Sequence, residues 1–118
     1  MTDIQRLHSN DRTSQAVIYQ QHIETAGLVA KIPHGTGIAE QTQCVLTQLE
    51  QLLHDAGSNK YRILRIQIWL ANMADFAAMN QVYDAWVKEM DKPARACVGA
   101  QLASPDYLIE IQAKAAFD

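Results

Sequence analysis

An arginine and a cysteine stand two residues apart in PARACVGAQL, residues 93–102, just after a proline and at the head of an apolar segment. A guanidinium is a planar fork of donors matched to carboxylates, and it keeps its charge in any environment. In an extended strand Arg95 and Cys97 share a face. The chain then turns at Ser104-Pro105-Asp106 and returns through YLIEIQAKAAF. If these two strands form a hairpin centred near Ala103 and Ser104, Glu110 lies opposite Cys97. A cation, a thiol and a carboxylate grouped in this way fit either a structural ion pair or an anion-binding site with a proton acceptor beside it. The residue types leave both open.

Other chemistry finds less support. The four histidines, His8, His22, His34 and His54, show no HxH or HExxH spacing, and a metal site needs three or four convergent ligands. No metal is therefore expected. Cys44 falls within a predicted helix and reads as a small packing residue. No GxSxG accompanies a serine, and HGTG, residues 34–37, lacks the strand-to-helix setting of a phosphate-binding loop. The stripe Phe76, Tyr83, Trp86 has helical spacing and reads as core.

The elements that must position Arg95 and Glu110 follow from hydrophobic period. AVIY and IETAGLVAKI, parted by Gln20-Gln21-His22, predict a hairpin. From Ile38, Val45, Leu49, Leu52 and Ala56 recur at helical spacing up to Gly57, a C-terminal stop. RILRIQIWL alternates, with Leu64, Ile66, Ile68 and Leu70 expected inside and Arg65, Gln67 and Trp69 outside. Asp75 is placed to cap a second helix carrying Phe76, Met79, Tyr83, Trp86 and Met90, and Pro93 follows its end. The order β-β-α-β-α-β-β predicts a two-layer α+β domain, residues 1–118, with two helices on one face of a mixed sheet. The other face, part apolar, needs a cover, and an oligomer is the economical one.

Composition removes several classes. The 118 residues carry a net charge of −3 with 48% hydrophobic content, so disorder is excluded and phosphate-driven nucleic-acid binding is disfavoured. No apolar run approaches the roughly 20 residues of a membrane span. A polar N-terminus and two distant cysteines are the pattern of a cytoplasmic protein with free thiols.

With these residues in view, the chain resembles the RidA (YjgF) family of reactive-intermediate deaminases, and within it a YoaB-like subgroup. Pro93-Ala94-Arg95-Ala96-Cys97-Val98 is similar to the family's P-x-R-x-x-V segment, and YLIEIQAKA to its hydrophobic-Glu-hydrophobic strand. DFAAMNQVYDAWV resembles its DF-x-x-x-N helix, HDAGSNKYRILRIQIWLAN its AG-then-strand element, and AGLVA the place of its Ser-Gly loop. The likeness runs from Gln15 to Phe117 in family order.

The resemblance implies a chorismate-mutase-like fold, a homotrimer with ligand sites in the clefts between subunits, and cofactor-free hydrolysis of enamines and imines such as 2-aminoacrylate to 2-oxo acids and ammonia. It assigns Arg95 to the substrate carboxylate, Cys97 to backbone contacts, Glu110 to the attacking water or the protonated imine, Asn80 to support, and Gly27 to the loop facing the substrate. Ala26 stands where the family has serine, Leu28 where many members have glutamine, and Thr13 or Ser14 where many have tyrosine. The implied consequence is altered substrate preference over a retained clamp. Two competing functions remain: a non-catalytic sensor of small carboxylates, and ribonuclease or translation inhibition, for which the acidic charge balance is poorly suited.

Overall fold

The computed structural model describes residues 3–118. Six strands, β1 (Gln5–Leu7), β2 (Ala16–Tyr19), β3 (His22–Thr25), β4 (Ile63–Leu70), β5 (Ala94–Gly99) and β6 (Ile109–Ala116), form one mixed sheet. Helices α1 (Ile38–Asp55) and α2 (Phe76–Trp86) cover one of its faces. The strand order across the sheet is β1-β2-β3-β6-β4-β5, parallel between β4 and β5 and antiparallel at every other pair.

The α+β class and the two helices agree with the sequence reading, which lacked β1, a short strand of mainly polar residues paired to β2. The β2–β3 hairpin turns through Gln20 at φ 55°, the left-handed conformation that tight hairpins need even without Asn-Gly. Helix α1 buries Thr42, Val45, Leu46, Leu49, Leu52 and Leu53, a three-four stripe. Gly57, at φ +87°, ends it: its N–H reaches His54 O and that of Ser58 reaches Leu53 O, closing a Schellman turn.

Three local expectations change. Leu64 is 47% exposed, because a register shift between Ile63 and Arg65 puts Ile63 on the buried face instead. Asp75 makes no side-chain cap; Asn72 caps the preceding 3₁₀ turn by accepting from Ala74 N–H at 2.9 Å. Phe76, expected in the core, is exposed at the start of α2, whereas Met79, Tyr83, Trp86 and Met90 are buried.

The largest correction concerns β5 and β6, which do not pair. β6 lies between β3 and β4, and β5 lies beyond β4 at the sheet edge. The burial patterns explain this. β6 buries Ile109, Ile111, Ala113 and Ala115 and can serve as a central strand, while β5 buries no residue completely. The connection, residues 100–108, is also longer than the two to five residues of ordinary hairpin loops.

One buried side chain holds that connection in place. Gln41 on α1 is 1% exposed; its Nε2 donates to Asp106 O at 2.9 Å and lies 3.2 Å from Pro33 O and Thr36 Oγ1. Its Oε1 accepts from Leu108 N–H at 2.9 Å. Leucine here would strand both loop backbone groups, so Gln41→Leu should lose about 2–4 kcal/mol. Urea denaturation followed by circular dichroism measures the loss, and wild-type stability in the variant would refute the role given to Gln41.

Candidate active site

Register decides which candidate groups share a face. Arg95 aligns with Ile66 and Cys97 with Ile68, and both isoleucines are fully buried beneath the helices. Arg95 and Cys97 therefore face the helix layer. Glu110 aligns with Trp69, which aligns in turn with Val98 on its other side. Positions 66 and 69 of one strand point to opposite faces, so Glu110 faces the open side of the sheet. The expectation that Glu110 lies opposite Cys97 is thereby overturned. Within one chain the two groups stand on opposite faces, with β4 between their strands.

The helix-face half of the candidate site is built on α2. Arg95 is half-buried; its Nη1 donates to Asn80 Oδ1 at 2.7 Å. The guanidinium carbon lies 4.6 Å from the centre of the Tyr83 ring and 5.7 Å from that of Phe76. Asn80 and Tyr83, three apart on one helix, thus fix the plane of the fork. Among the described residues no carboxylate comes within 4 Å of Arg95, which leaves the structural ion pair without a partner. Nearby Lys92 is committed elsewhere, donating to the carbonyls of Met90 at 2.7 Å and Val87 at 2.9 Å. Arg95 opens onto a depression bounded by Tyr83, Asp84, Val87 and Pro93.

Burial pushes the Cys97 thiol up, and the charge of Arg95 only partly offsets this. A thiol held protonated is a poor nucleophile. Burial likewise raises Tyr83, again opposed by Arg95, so the ring is a neutral phenol beside the cation at physiological pH. Because β5 is an edge strand, one row of its backbone N–H and C=O groups meets no strand among the described residues. Cys97 can therefore contribute to chemistry through its backbone surroundings without its sulfur. Cys97→Ala should keep the rate of any reaction at this site within about three-fold of wild type. A progress-curve comparison checks this, and a loss of several powers of ten would restore the thiol to the chemistry.

The open-face half centres on Glu110. The β3–β6 ladder ends at Glu24 and Lys114, and pairing resumes as an isolated bridge between Leu28 and Ile111. Thr25 fills the irregularity: its Oγ1 donates to Ala26 O at 2.9 Å and accepts from Ala113 N–H at 3.0 Å. This brings Gly27 against the Glu110 side chain. A Cβ on Gly27 would collide with Glu110 Oε2 and come within 2.9 Å of its Cδ, so only glycine leaves the carboxylate where it is. Glu110 and Trp69 line a small cavity with Ala100, Gln101, Leu102 and Ala103.

Of the candidates from sequence, the structure joins Arg95 to Asn80, and Gly27 to Glu110, as two separate pairs. Ala26 flanks the second pair, and Leu28 is buried beside it. Thr13 and Ser14 lie outside both, in the β1–β2 connection, where Ser14 Oγ meets Ser9 Oγ at 2.8 Å. The histidines do not converge: His8 pairs with Asp55 at 3.2 Å and His34 with Asp106 at 3.7 Å, while His22 lies exposed on β3. No group of three metal-binding side chains occurs among the described residues. Two contributors were missed from sequence. Helical spacing alone reads Tyr83 as core, although its place three residues after Asn80 puts both on one helix face; alternation alone reads Trp69 as outward-facing.

Comparison with known proteins adds independent observations. A family model described as Endoribonuclease L-PSP matches residues 3–117. A RutC family protein of Haemophilus influenzae is 41% identical over 108 residues, covering 92% of this chain and 93% of that protein. The RutC family protein YoaB of Escherichia coli is 38% identical over 113 residues, covering 96% and 97%. Among solved structures, a member of the YjgF protein family from Neisseria meningitidis superposes with a TM-score of 0.93 at 40% identity, covering 98% of this chain and 96% of that one.

Proposed function

We propose, because this chain belongs to the RutC (YjgF) family, that it is a deaminase hydrolysing small 2-imino acids and their enamine tautomers to 2-oxo acids and ammonia. The observation that carries this reading is Arg95, a half-buried guanidinium held by Asn80 and Tyr83 with no carboxylate of its own among the described residues. A cation prepared in this way is a receptor for an external carboxylate, and a 2-imino acid carries one beside its reactive carbon.

In this account the substrate carboxylate docks on Arg95 of one subunit, and Glu110 is supplied across a cleft by the next. The sheet register supports that division. Two strands and three residues of offset separate the positions by on the order of 10 Å in each direction, on opposite faces of the sheet. A closed homotrimer with three such clefts, as the family resemblance implies, would cover the open face.

Glu110 then takes a proton from water as the water oxygen bonds to the imine carbon. With the imine nitrogen protonated at the outset, a neutral carbinolamine results. Glu110 returns its proton to that nitrogen, and the carbon–nitrogen bond breaks. The departing ammonia takes the hydroxyl proton and leaves as ammonium while the hydroxyl oxygen becomes the 2-oxo group. One water is consumed, and the carboxylate ends in its starting state. Imines already hydrolyse in water, so holding water and substrate together supplies much of the acceleration.

RNA cleavage, the activity in the family model's description, needs clustered cations to hold phosphates. The net charge is −3, and the histidines are dispersed. The direct test generates 2-iminopropanoate or 2-iminobutanoate with an amino-acid oxidase and follows 2-oxo acid release. Release should exceed the spontaneous rate in proportion to added protein. Saturable 2-oxo acid binding without any acceleration, across several side chains, would mark a sensor and end the enzymatic reading.

A further inference from the structure

Glu110 is a half-buried carboxylate with no lysine, arginine or histidine nitrogen within 4 Å among the described residues. Directly across the β4–β6 ladder, on the same face, stands the half-buried indole of Trp69. Both line a cavity of about 210 Å³ whose other walls, Ala100, Gln101, Leu102 and Ala103, bring no charge. The space accommodates a group of a few heavy atoms.

A carboxylate and an electron-rich ring sharing one small cavity have a common complement. The carboxylate attracts positive charge, and so does the negative face of the indole quadrupole. Partial burial strengthens both by keeping water from screening them. Opposite such a pair a neutral carbonyl gains little, whereas a protonated nitrogen gains from both at once. The Glu110 side chain lies over Gly27, which has no Cβ to displace it.

We propose that the Glu110–Trp69 cavity is the subsite for the cationic nitrogen of the ligand, and that Trp69 makes this chain select amino and imino acids carrying a protonated nitrogen over the corresponding 2-oxo acids. This deepens the deaminase reading and rests on it for the placement of the carboxylate at Arg95. It also gives the reaction a direction. A protonated imine is the more electrophilic form at carbon, and the 2-oxo acid product lacks the charge that held the substrate, so it leaves readily.

Titration calorimetry at neutral pH with the matched pair 2-aminobutanoate and 2-oxobutanoate tests this on the full chain, using wild type, Trp69→Phe, Trp69→Leu and Trp69→Ala. Trp69→Leu and Trp69→Ala should weaken 2-aminobutanoate about five-fold or more while changing 2-oxobutanoate less than two-fold, and Trp69→Phe should retain most of the preference. Circular dichroism confirms that each variant is folded. Equal losses for both ligands, or equal behaviour of the Leu and Phe variants, would reduce Trp69 to an apolar wall and overturn the proposal. An Arg95→Ala arm separates this from the parent reading. If Arg95→Ala leaves both ligands bound while Trp69→Leu still removes the preference, the carboxylate clamp fails and the nitrogen subsite stands.

Discussion

Arg95→Ala should weaken binding of small 2-oxo acids by about a hundred-fold, because two charge-assisted hydrogen bonds of roughly 1.5 kcal/mol or more each are lost together. Turnover of the imine should fall at least as far. The substitution lies on an edge strand and removes no ion pair among the described residues, so the fold should survive it. Arg95→Lys sharpens the test. It keeps the charge but gives up the planar fork, the Asn80 contact geometry and the stack on Tyr83. Lysine should therefore recover only part of the affinity, roughly ten-fold below wild type. Calorimetric titration with 2-oxobutanoate measures all three proteins, and full affinity in the lysine variant would show that bulk charge, and not the oriented fork, holds the ligand.

Glu110→Gln should separate binding from chemistry. Glutamine has nearly the same shape, so the packing over Gly27 and the cavity beside Trp69 are preserved. It cannot accept a proton from water. The turnover number should fall by about a hundred-fold or more, the usual scale of a lost general base. Affinity for the 2-oxo acid product, which has no charged nitrogen, should stay within about three-fold. Steady-state rates beside product titrations check both halves. Unchanged turnover would remove Glu110 from the reaction and leave water activation to groups outside this account.

The sequence carried the site residues further than it carried their arrangement. Period-three-four spacing in α1 and α2 and the alternation in β4 and β6 are local properties, and the elements follow them closely. Strand pairing is not local. Nothing within PARACVGAQL or YLIEIQAKAAF states that β6 inserts between β3 and β4, and adjacency along the chain suggested a hairpin instead. That one error reversed the face of Glu110, because faces follow from register. A clue was present in the unequal burial capacity of the two strands: Ile109, Ile111, Ala113 and Ala115 make a strand fit for the centre, whereas Arg95, Cys97 and Gly99, the same face of β5, do not.

The site contacts divide along the same line. Asn80 and Arg95 were each identified, but their 2.7 Å hydrogen bond depends on how α2 crosses the sheet edge, which short-range pattern does not encode. The loop singles out Gly27, and its contact with Glu110, which a Cβ there would displace, is visible only in the structure. Gln41 shows the same limit from the side of stability. Its burial follows from a loop that arrives 65 residues later in the chain.

The separation of Arg95 and Glu110 onto opposite faces makes the composite site directly testable by mixing. Arg95→Ala and Glu110→Gln proteins, each inactive alone, are unfolded together, refolded as mixed oligomers, and assayed for 2-oxo acid release from an imine. If each site takes Arg95 from one subunit and Glu110 from its neighbour, random assembly restores both groups in about a quarter of the sites, and roughly that share of wild-type activity should return. Mixed oligomers that form and bind ligand but remain inactive would contradict a site shared between subunits.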